Sequence, residues 1–427
     1  MKQLKIQQQL NEFPRAVLDH ADTLELLDLS NNQLSDLPHD FSRLTRLKIL
    51  FLSNNRFQHI PPVLAQCPAL EMIAFKDNQL TEFAEHSIPN ATRWLILTGN
   101  QLSHLPQSMG SLYRLQKLAL AGNQLTELPA SMADCHKLEL VRLSANRLPG
   151  LPDWLFKLPR LSWLGFAGNP FSSSLFTGIE HQSSGVPLVA LDELELGDKL
   201  GEGASGSIYR GHWKQPHTHL GQADIAVKLF KGEVTSDGYP QDELDCCLDA
   251  GHHPHIVKTI GEIKDPGQPG IVMELIPEGY HNLGNPPDFD SCSRDTFAAD
   301  TAFSAAQITS IARQLACAAH HLHQQGVSHG DLYAHNTLIN AGDDILLSDF
   351  GAASDAKTLP AHQRAALEKI EVRAFGCLLD DVLSRPANRL NHQHRQVTLL
   401  SSLRDQCLQQ QVAQRPDFYR IKQLLQQ

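Results

Sequence analysis

No stretch of this 427-residue sequence approaches the roughly 18 consecutive apolar residues that a membrane span needs. The opening MKQLKIQQQLNEF likewise carries no apolar core of signal-peptide length. No C-x-x-C pair occurs among the cysteines at 67, 135, 246, 247, 292, 317, 377 and 407, which argues against a zinc ribbon or a thioredoxin-type motif. Cys246 and Cys247 are adjacent and poorly placed to bridge one another, so free thiols in a reducing cytosol are expected. An excess of basic charge is also missing. Lys and Arg total 36 against 47 Asp and Glu, a net charge of −11, which excludes a generally basic nucleic-acid binder. Gly (27) and Pro (24) stand at average usage, so no collagen-like or linker-like composition dominates. With 41% hydrophobic and 19% charged residues the chain is ordinarily globular, and its length favours two or more domains.

The charge is unevenly placed. Residues 1–185 hold 16 basic and 16 acidic side chains, and the remainder holds 20 and 31. Two modules of different construction are implied. In the first, L-x-x-L-x-L-x-x-N-x-L recurs as LELLDLSNNQL, LKILFLSNNRF, LEMIAFKDNQL, TRWLILTGNQL, LQKLALAGNQL, LELVRLSANRL and LSWLGFAGNPF. The asparagines fall at Asn32, Asn55, Asn78, Asn100, Asn123, Asn146 and Asn169, every 22 or 23 residues. The alternating L-x-L reads as a short strand with one buried face. The amide side chain can satisfy backbone groups where the chain leaves that strand.

This array resembles the leucine-rich-repeat family over residues 21–172. The resemblance implies an α/β solenoid, a horseshoe with a continuous asparagine ladder, and a convex side built from segments such as LSDLPHDF and LTELPASM. No repeat can bury its apolar face alone, so stacking carries the stability. Residues 1–20 are expected to cap the array and 173–190 to form a Ser/Gly-rich linker. A protein or peptide partner is the default for the concave face, lined by outward positions such as Asp28, Phe51, Lys76, Trp94, Ile96 and Arg142.

The second module carries the chemistry. Gly201, Gly203 and Gly206 in LGEGASGSIYRG form G-x-G-x-x-G, a signal that alone fits dinucleotide-binding folds or plain loops as well. Lys228 follows inside the apolar strand ADIAVKLF, and Glu243 sits in the helical QDELDCCLDAG. Glu243 is the better ion-pair partner for Lys228, because Glu233 lies only five residues beyond it. IVMELIPEG reads as a buried strand leading into a hinge. SHGDLYAHNTLI places His329, Asp331 and Asn336 as H-x-D-x-x-x-x-N, and ILLSDFGAAS places Asp349-Phe350-Gly351 after a strand.

In this order the elements resemble the protein-kinase family over residues 191–427, and RPDF near the end resembles the closing helices of tyrosine-kinase-like and plant receptor-type kinases. The implied fold is an α+β bilobal domain. Asp331 would accept the substrate hydroxyl proton, and Asn336 with Asp349 would hold Mg²⁺. Glu243 would orient Lys228 on the phosphates of ATP. The implied nucleotide site is Leu200, Gly201, Glu202, Gly203, Gly206, Ile208, Ala226, Lys228, Met273, Glu274 and Ile276.

Four departures from the family stand out. Gly330 replaces the Arg before the catalytic Asp, so gating through a phosphorylated activation loop is not expected. Tyr333 replaces a Lys that would contact the transferring phosphate. No clear A-P-E occurs, and Ser354 and Thr358 are the only hydroxyl side chains between Asp349 and an expected helix start near Glu371. Glu371 itself stands where the family has Asp. His320, His321 and His323 read as a solvated helix face. The expected activity is a cytoplasmic, ATP- and Mg²⁺-dependent protein kinase, serine/threonine-type, whose repeats bind protein partners. The alternatives are a catalytically weak nucleotide-binding scaffold, or a small-molecule phosphotransferase of the kind that also carries HGD loops.

Overall fold

A computed structural model describes residues 1–172, 186–203, 205–215, 224–231, 234–235, 237–265, 267–387 and 395–426. Most of the expected linker, and Glu233, lie outside the described residues. The chain divides into two compact units. One comprises Met1–Leu161 with Asn169–Phe171, and the other Ser162–Gly168 with Ser172–Gln427.

In the first unit each L-x-L segment is a three-residue strand: β2 (Leu26–Asp28), β3 (Ile49–Phe51), β4 (Met72–Ala74), β5 (Trp94–Ile96), β6 (Lys117–Ala119) and β7 (Leu140–Arg142). Neighbours pair in parallel and in register, Leu27 with Leu50 and Leu50 with Ile73. The N-terminal residues do more than cover the end, since β1 (Gln3–Lys5) adds a strand in register with β2. The leucines flanking each strand centre, such as Leu27, Leu29, Leu50 and Leu52, are fully buried. The convex side is built from short 3-10 turns that open after Pro38, Pro61, Pro106 and Pro129. Proline suits that place because its ring presets φ and its missing N–H leaves no donor unsatisfied there.

The asparagines form the ladder. Asn123 Nδ2 donates to Leu97 O (2.9 Å) and Leu120 O (3.0 Å), while its Oδ1 accepts from Leu102 N (3.1 Å). The neighbouring Asn100 and Asn146 repeat the pattern. Asn123→Ala strands three buried backbone groups at once. It is expected to lower the stability of this unit by about 2 kcal/mol, read as a shifted urea midpoint. An unmoved midpoint would show the ladder to be dispensable. Arg142 differs from expectation: it is buried, as are Leu140 and Val141. Asp28, Phe51, Trp94 and Ile96 are half-buried, and Lys117 Nζ lies 4.2 Å over the Trp94 ring.

The second unit has two lobes. In the N-terminal lobe β10 (Leu194–Glu202), β11 (Gly206–Trp213), β12 (Asp224–Phe230), β14 (Gly270–Glu274) and β13 (Thr259–Ile263) form an antiparallel sheet, extended by β9 (Leu188–Val189) parallel to β13. Val189, Leu194, Ile225, Val227, Ile260, Ile263 and Val272 make its core. Helix α1 (Pro240–Ala250) follows β12. The C-terminal lobe is built on α2 (Ala305–Gln325), α3 (Ala361–Leu383), α4 (Arg395–Cys407) and α5 (Phe418–Leu425). Ser304 and Gln307 close a capping box at the start of α2, and Gly326 ends it at φ +77. Short strands β15 (His281–Asn282), β17 (Thr337–Ile339) and β18 (Ile345–Leu347) pair together, as do β16 (Val327–Ser328) and β19 (Ser354–Asp355).

Helix α3 starts well before Glu371. It begins at Ala361, directly after Pro360, so Glu371 sits mid-helix and is buried. The segment after Asp349 is therefore shorter than the sequence suggests. The three histidines of α2 do not form a solvated face either. His320 packs on Tyr419 (5.7 Å), His321 Nε2 lies 2.7 Å from Ala250 O, and His323 meets Glu371. The helix is enclosed by α1, α3 and α5, so each ring has its own structural contact.

Candidate active site

The glycine-rich turn joins β10 to β11. Gly201 pairs with Ile208 and Glu202 with Ser207, and Gly203 N–H donates to Gly206 O (2.9 Å). Gly206 has no alternative there, because a Cβ would come within 2.4 Å of Leu229 O. Leu200 and Glu202 are about half exposed, and Glu202 pairs with Lys199 and Lys231. Strand alternation puts Ala226 and Lys228 on one face of β12, with Ala226 opposite Met273 of β14. At the end of that strand, Glu274 N–H is held by Lys258 O (2.9 Å). Leu275 and Ile276, the rest of the predicted hinge, are half-buried.

Lys228 forms an ion pair with Glu243, and both are buried. Pro240 opens α1, and Asp242 and Glu243 occupy its first turn, where the helix dipole favours acidic side chains. Burial opposes charge on Lys228, but Glu243 and Asp349 outweigh it and hold the lysine above its usual range. Burial pushes Glu243 up, against the pull of Lys228.

The loop after β16 brings the remaining candidates together. Asn336 Nδ2 donates to Asp331 O (3.0 Å), and Ser348 N–H donates to Asn336 O (2.9 Å). His329 Nδ1 accepts from Asp331 N–H (3.3 Å), and its ring packs 5.0 Å from Phe350. Asp349 takes φ +59, a region that Asp tolerates better than most residues. Its Oδ1 accepts from Gly351 N–H (3.1 Å). Asp349 also faces Lys228 closely enough to influence its ionisation. Lys228, Glu243 and Asp349 thus act on one another's charge, and Asn336 is bonded to Asp331 within the loop after β16.

Residues 194–375 match the protein tyrosine and serine/threonine kinase family, and residues 7–57, 90–148 and 114–171 match the leucine rich repeat. The chain joins leucine-rich repeats to a protein-kinase domain. This kinase domain is 25% identical to fibroblast growth factor receptor 1 of Xenopus laevis, over 43% of the chain and 24% of the relative. It is 29% identical to the probable serine/threonine-protein kinase gdt4 of Dictyostelium discoideum, over 43% and 10%. It is 30% identical to serine/threonine-protein kinase 10 of Homo sapiens, over 39% and 16%. The chain spans a quarter or less of the length of these relatives. Among the described residues no helix is long and apolar enough to cross a membrane.

The kinase domain departs from its family where the sequence says it does. Gly330 takes φ +71. A Cβ there would come within 2.4 Å of Ala352 O and 3.0 Å of Leu164 O. Tyr333 packs between neighbouring rings, with Trp163 stacked on it (4.3 Å, 7°) and His335 tilted against it (4.7 Å, 32°). Trp163 belongs to the same unit, and its Nε1–H donates to Leu332 O (3.2 Å). Ser354 is fully buried, and its Oγ accepts from Phe166 N–H (3.0 Å). Of the two hydroxyls the sequence singles out, Thr358 alone is exposed. Trp163 and Asp295, which accepts from Ala334 N–H in the loop after Asp331, are the residues that motif spacing does not reveal.

Proposed function

We propose that the chain is an ATP-dependent protein kinase that phosphorylates serine or threonine hydroxyls, with the repeats as its protein-binding module. The observation that carries this reading is the buried Lys228–Glu243 pair facing Asp349. Holding a lysine charged inside a low-dielectric cleft costs several kcal/mol unless the charge serves a partner. Phosphates presented at the cleft are such a partner. Main-chain N–H groups of the glycine-rich turn would cradle the same phosphates. Asp331 would orient the substrate hydroxyl and accept its proton. The paired oxygen donors of Asn336 and Asp349 suit a hard divalent cation such as Mg²⁺. Such an ion, when bound, neutralises charge developing on the phosphates. The serine/threonine reading is supported by the relatives from Dictyostelium discoideum and Homo sapiens. Its eight cysteines are all free, which supports a reducing, cytoplasmic location.

One observation favours a second reading. The indole stacks on Tyr333, where the family has a phosphate-contacting lysine, and is bonded to Leu332 O, which suits a nucleotide-binding scaffold that transfers slowly or not at all. Intact-mass spectrometry after incubation with Mg-ATP separates the two. Phosphate increments on serine or threonine in the wild type, absent in Asp331→Asn, are the expected outcome. No increment in the wild type, with ATP binding retained, sinks the kinase reading in favour of the scaffold.

A further inference from the structure

The loop that carries Asp331 and Asn336 belongs to no helix or strand, so its shape has to be imposed by its surroundings. A feature outside the motif does this. The chain between the hinge and α2 makes a tight excursion over residues 283–296. It is closed by Asn285 N–H to Thr296 O (2.7 Å) and Thr296 N–H to Asn285 O (3.0 Å). One end rests on the catalytic loop itself, through Leu283 N–H to Thr337 O (2.8 Å) and Gly284 N–H to Ala334 O (3.3 Å). The other end is fastened to α3. There the Arg294 guanidinium donates to Cys377 O (2.9 Å), Asp380 Oδ2 (3.0 Å) and Asp381 Oδ1 (2.6 Å).

Directly after Arg294 comes Asp295, whose side chain is almost fully buried (2% exposed). Its Oδ2 accepts from Ala334 N–H (2.5 Å), and its Oδ1 meets His335 Nδ1 (2.6 Å). A buried carboxylate is costly unless it is hydrogen-bonded, and both of its oxygens are engaged by the loop. Ala334 and His335 are the two residues immediately before Asn336, within the six-residue span from Asp331 to Asn336. We propose that Asp295 is a positioning residue for phosphoryl transfer. It fixes the 332–335 turn, and so sets Asp331 relative to Asn336, without touching the reacting groups itself. Charge-assisted bonds of this kind are short and directional. They fit a task in which a misplacement of about 1 Å costs on the order of 100-fold in rate.

This inference rests on the kinase reading above, and its test keeps the two apart. Full-length wild type, Asp295→Ala and Asp295→Asn are compared by steady-state kinetics, Mg-nucleotide binding and hydrogen exchange of the peptide spanning 332–336. Asp295→Ala is expected to lower kcat by about 10- to 100-fold, with KM for ATP changed by less than about threefold and faster exchange confined to that peptide. Asp295→Asn keeps an acceptor for Ala334 N–H and is expected to recover much of both. A folded Asp295→Ala with unchanged kcat and unchanged loop exchange overturns the proposal. So does a kcat loss that Asp295→Asn does not ease and that is matched by exchange rising throughout the domain, which is general destabilisation. Should Asp295→Ala fail to fold, Asp295→Asn decides: undisturbed loop exchange with a kcat loss equal to full loss of activity counts against it. If the wild type transfers no phosphate, the kinase reading fails, while the exchange measurement still decides whether Asp295 orders the loop.

Discussion

Glu371→Ala is expected to lower the stability of the kinase domain by about 3–5 kcal/mol, because it breaks a buried charged pair on one side only. Glu371 Oε2 meets His323 Nε2 at 2.5 Å, and Oε1 accepts from Gly330 N–H at 2.6 Å. Truncation leaves an imidazolium buried without its counter-charge and a buried N–H beside the catalytic loop. Glu371→Gln keeps an acceptor for Gly330 and is expected to cost less. The pair also sets a pH window. Burial alone would lower His323, but Glu371 and Glu368 reverse this and hold it above the ordinary histidine value. Burial alone would raise Glu371, but His323, His329 and Gly330 N–H hold it below the ordinary glutamate value. A raised histidine contributes fully below its unfolded pKa of about 6.5, and that contribution is lost as pH rises through the folded value. A lowered glutamate contributes fully above about 4.3, and that contribution is lost as pH falls through the folded value. The stability difference between wild type and Glu371→Ala is therefore expected to be greatest between about pH 4.3 and 6.5 and to shrink on either side. Thermal melts across pH 4–9 test this, and a difference that stays flat over that range contradicts the pairing.

Restoring the family residue by Gly330→Arg is expected to do harm. A non-glycine residue at φ +71 costs about 1–2 kcal/mol. The Cβ would also press against Ala352 O at 2.4 Å, and overpacking of this kind adds about 1–3 kcal/mol. The melting temperature should fall by several degrees for each kcal/mol lost, with transfer falling too, because Asp331 is the next residue. Gly330→Ala carries most of the same penalty without the guanidinium, so it separates backbone strain from charge. An Arg variant as stable and active as the wild type would show that the loop can reshape at little cost. The glycine is thus more than a missing regulatory arginine. The turn that Glu371 holds from below requires it.

The repeat unit was legible almost residue by residue, because its signal is local. Leu27, Leu50 and Leu118 repeat their environment every 23 residues or so, and Asn32 through Asn169 announce the ladder. In the second unit the glycine-rich hairpin and the pairing of Lys228 with Glu243 were legible too, since a lysine inside an apolar strand calls for a counter-charge. What holds the loop after β16 was not. Asp295 reaches its partners across 39 and 40 residues, and His323 reaches Glu371 across 48. Neither pair has a spacing that secondary structure imposes. The start of α3 was misplaced because A-H-Q-R-A-A-L carries weak periodicity, and the stop-and-start cue was Pro360 alone. That Ser354 is buried and Thr358 exposed was not legible, because sequence does not disclose that β19 pairs back to β16.

The pairing registers also bear on how the chain is made. Every strand pair of the first unit joins residues about 23 positions apart, as in Leu26 with Ile49 and Lys117 with Leu140. In the kinase domain Val327 waits for Asp355, and the excursion at Asp295 waits for α3. Loop closure over such short separations is entropically cheap, and chains rich in local contacts fold fast. Repeats propagate from whichever neighbour is already in place. On an emerging polypeptide, at about 5–20 residues per second, the solenoid can zip up one repeat at a time while the catalytic loop is still untranslated. The kinase domain would then be assembled after the repeats, on a chain whose first 161 residues are already folded.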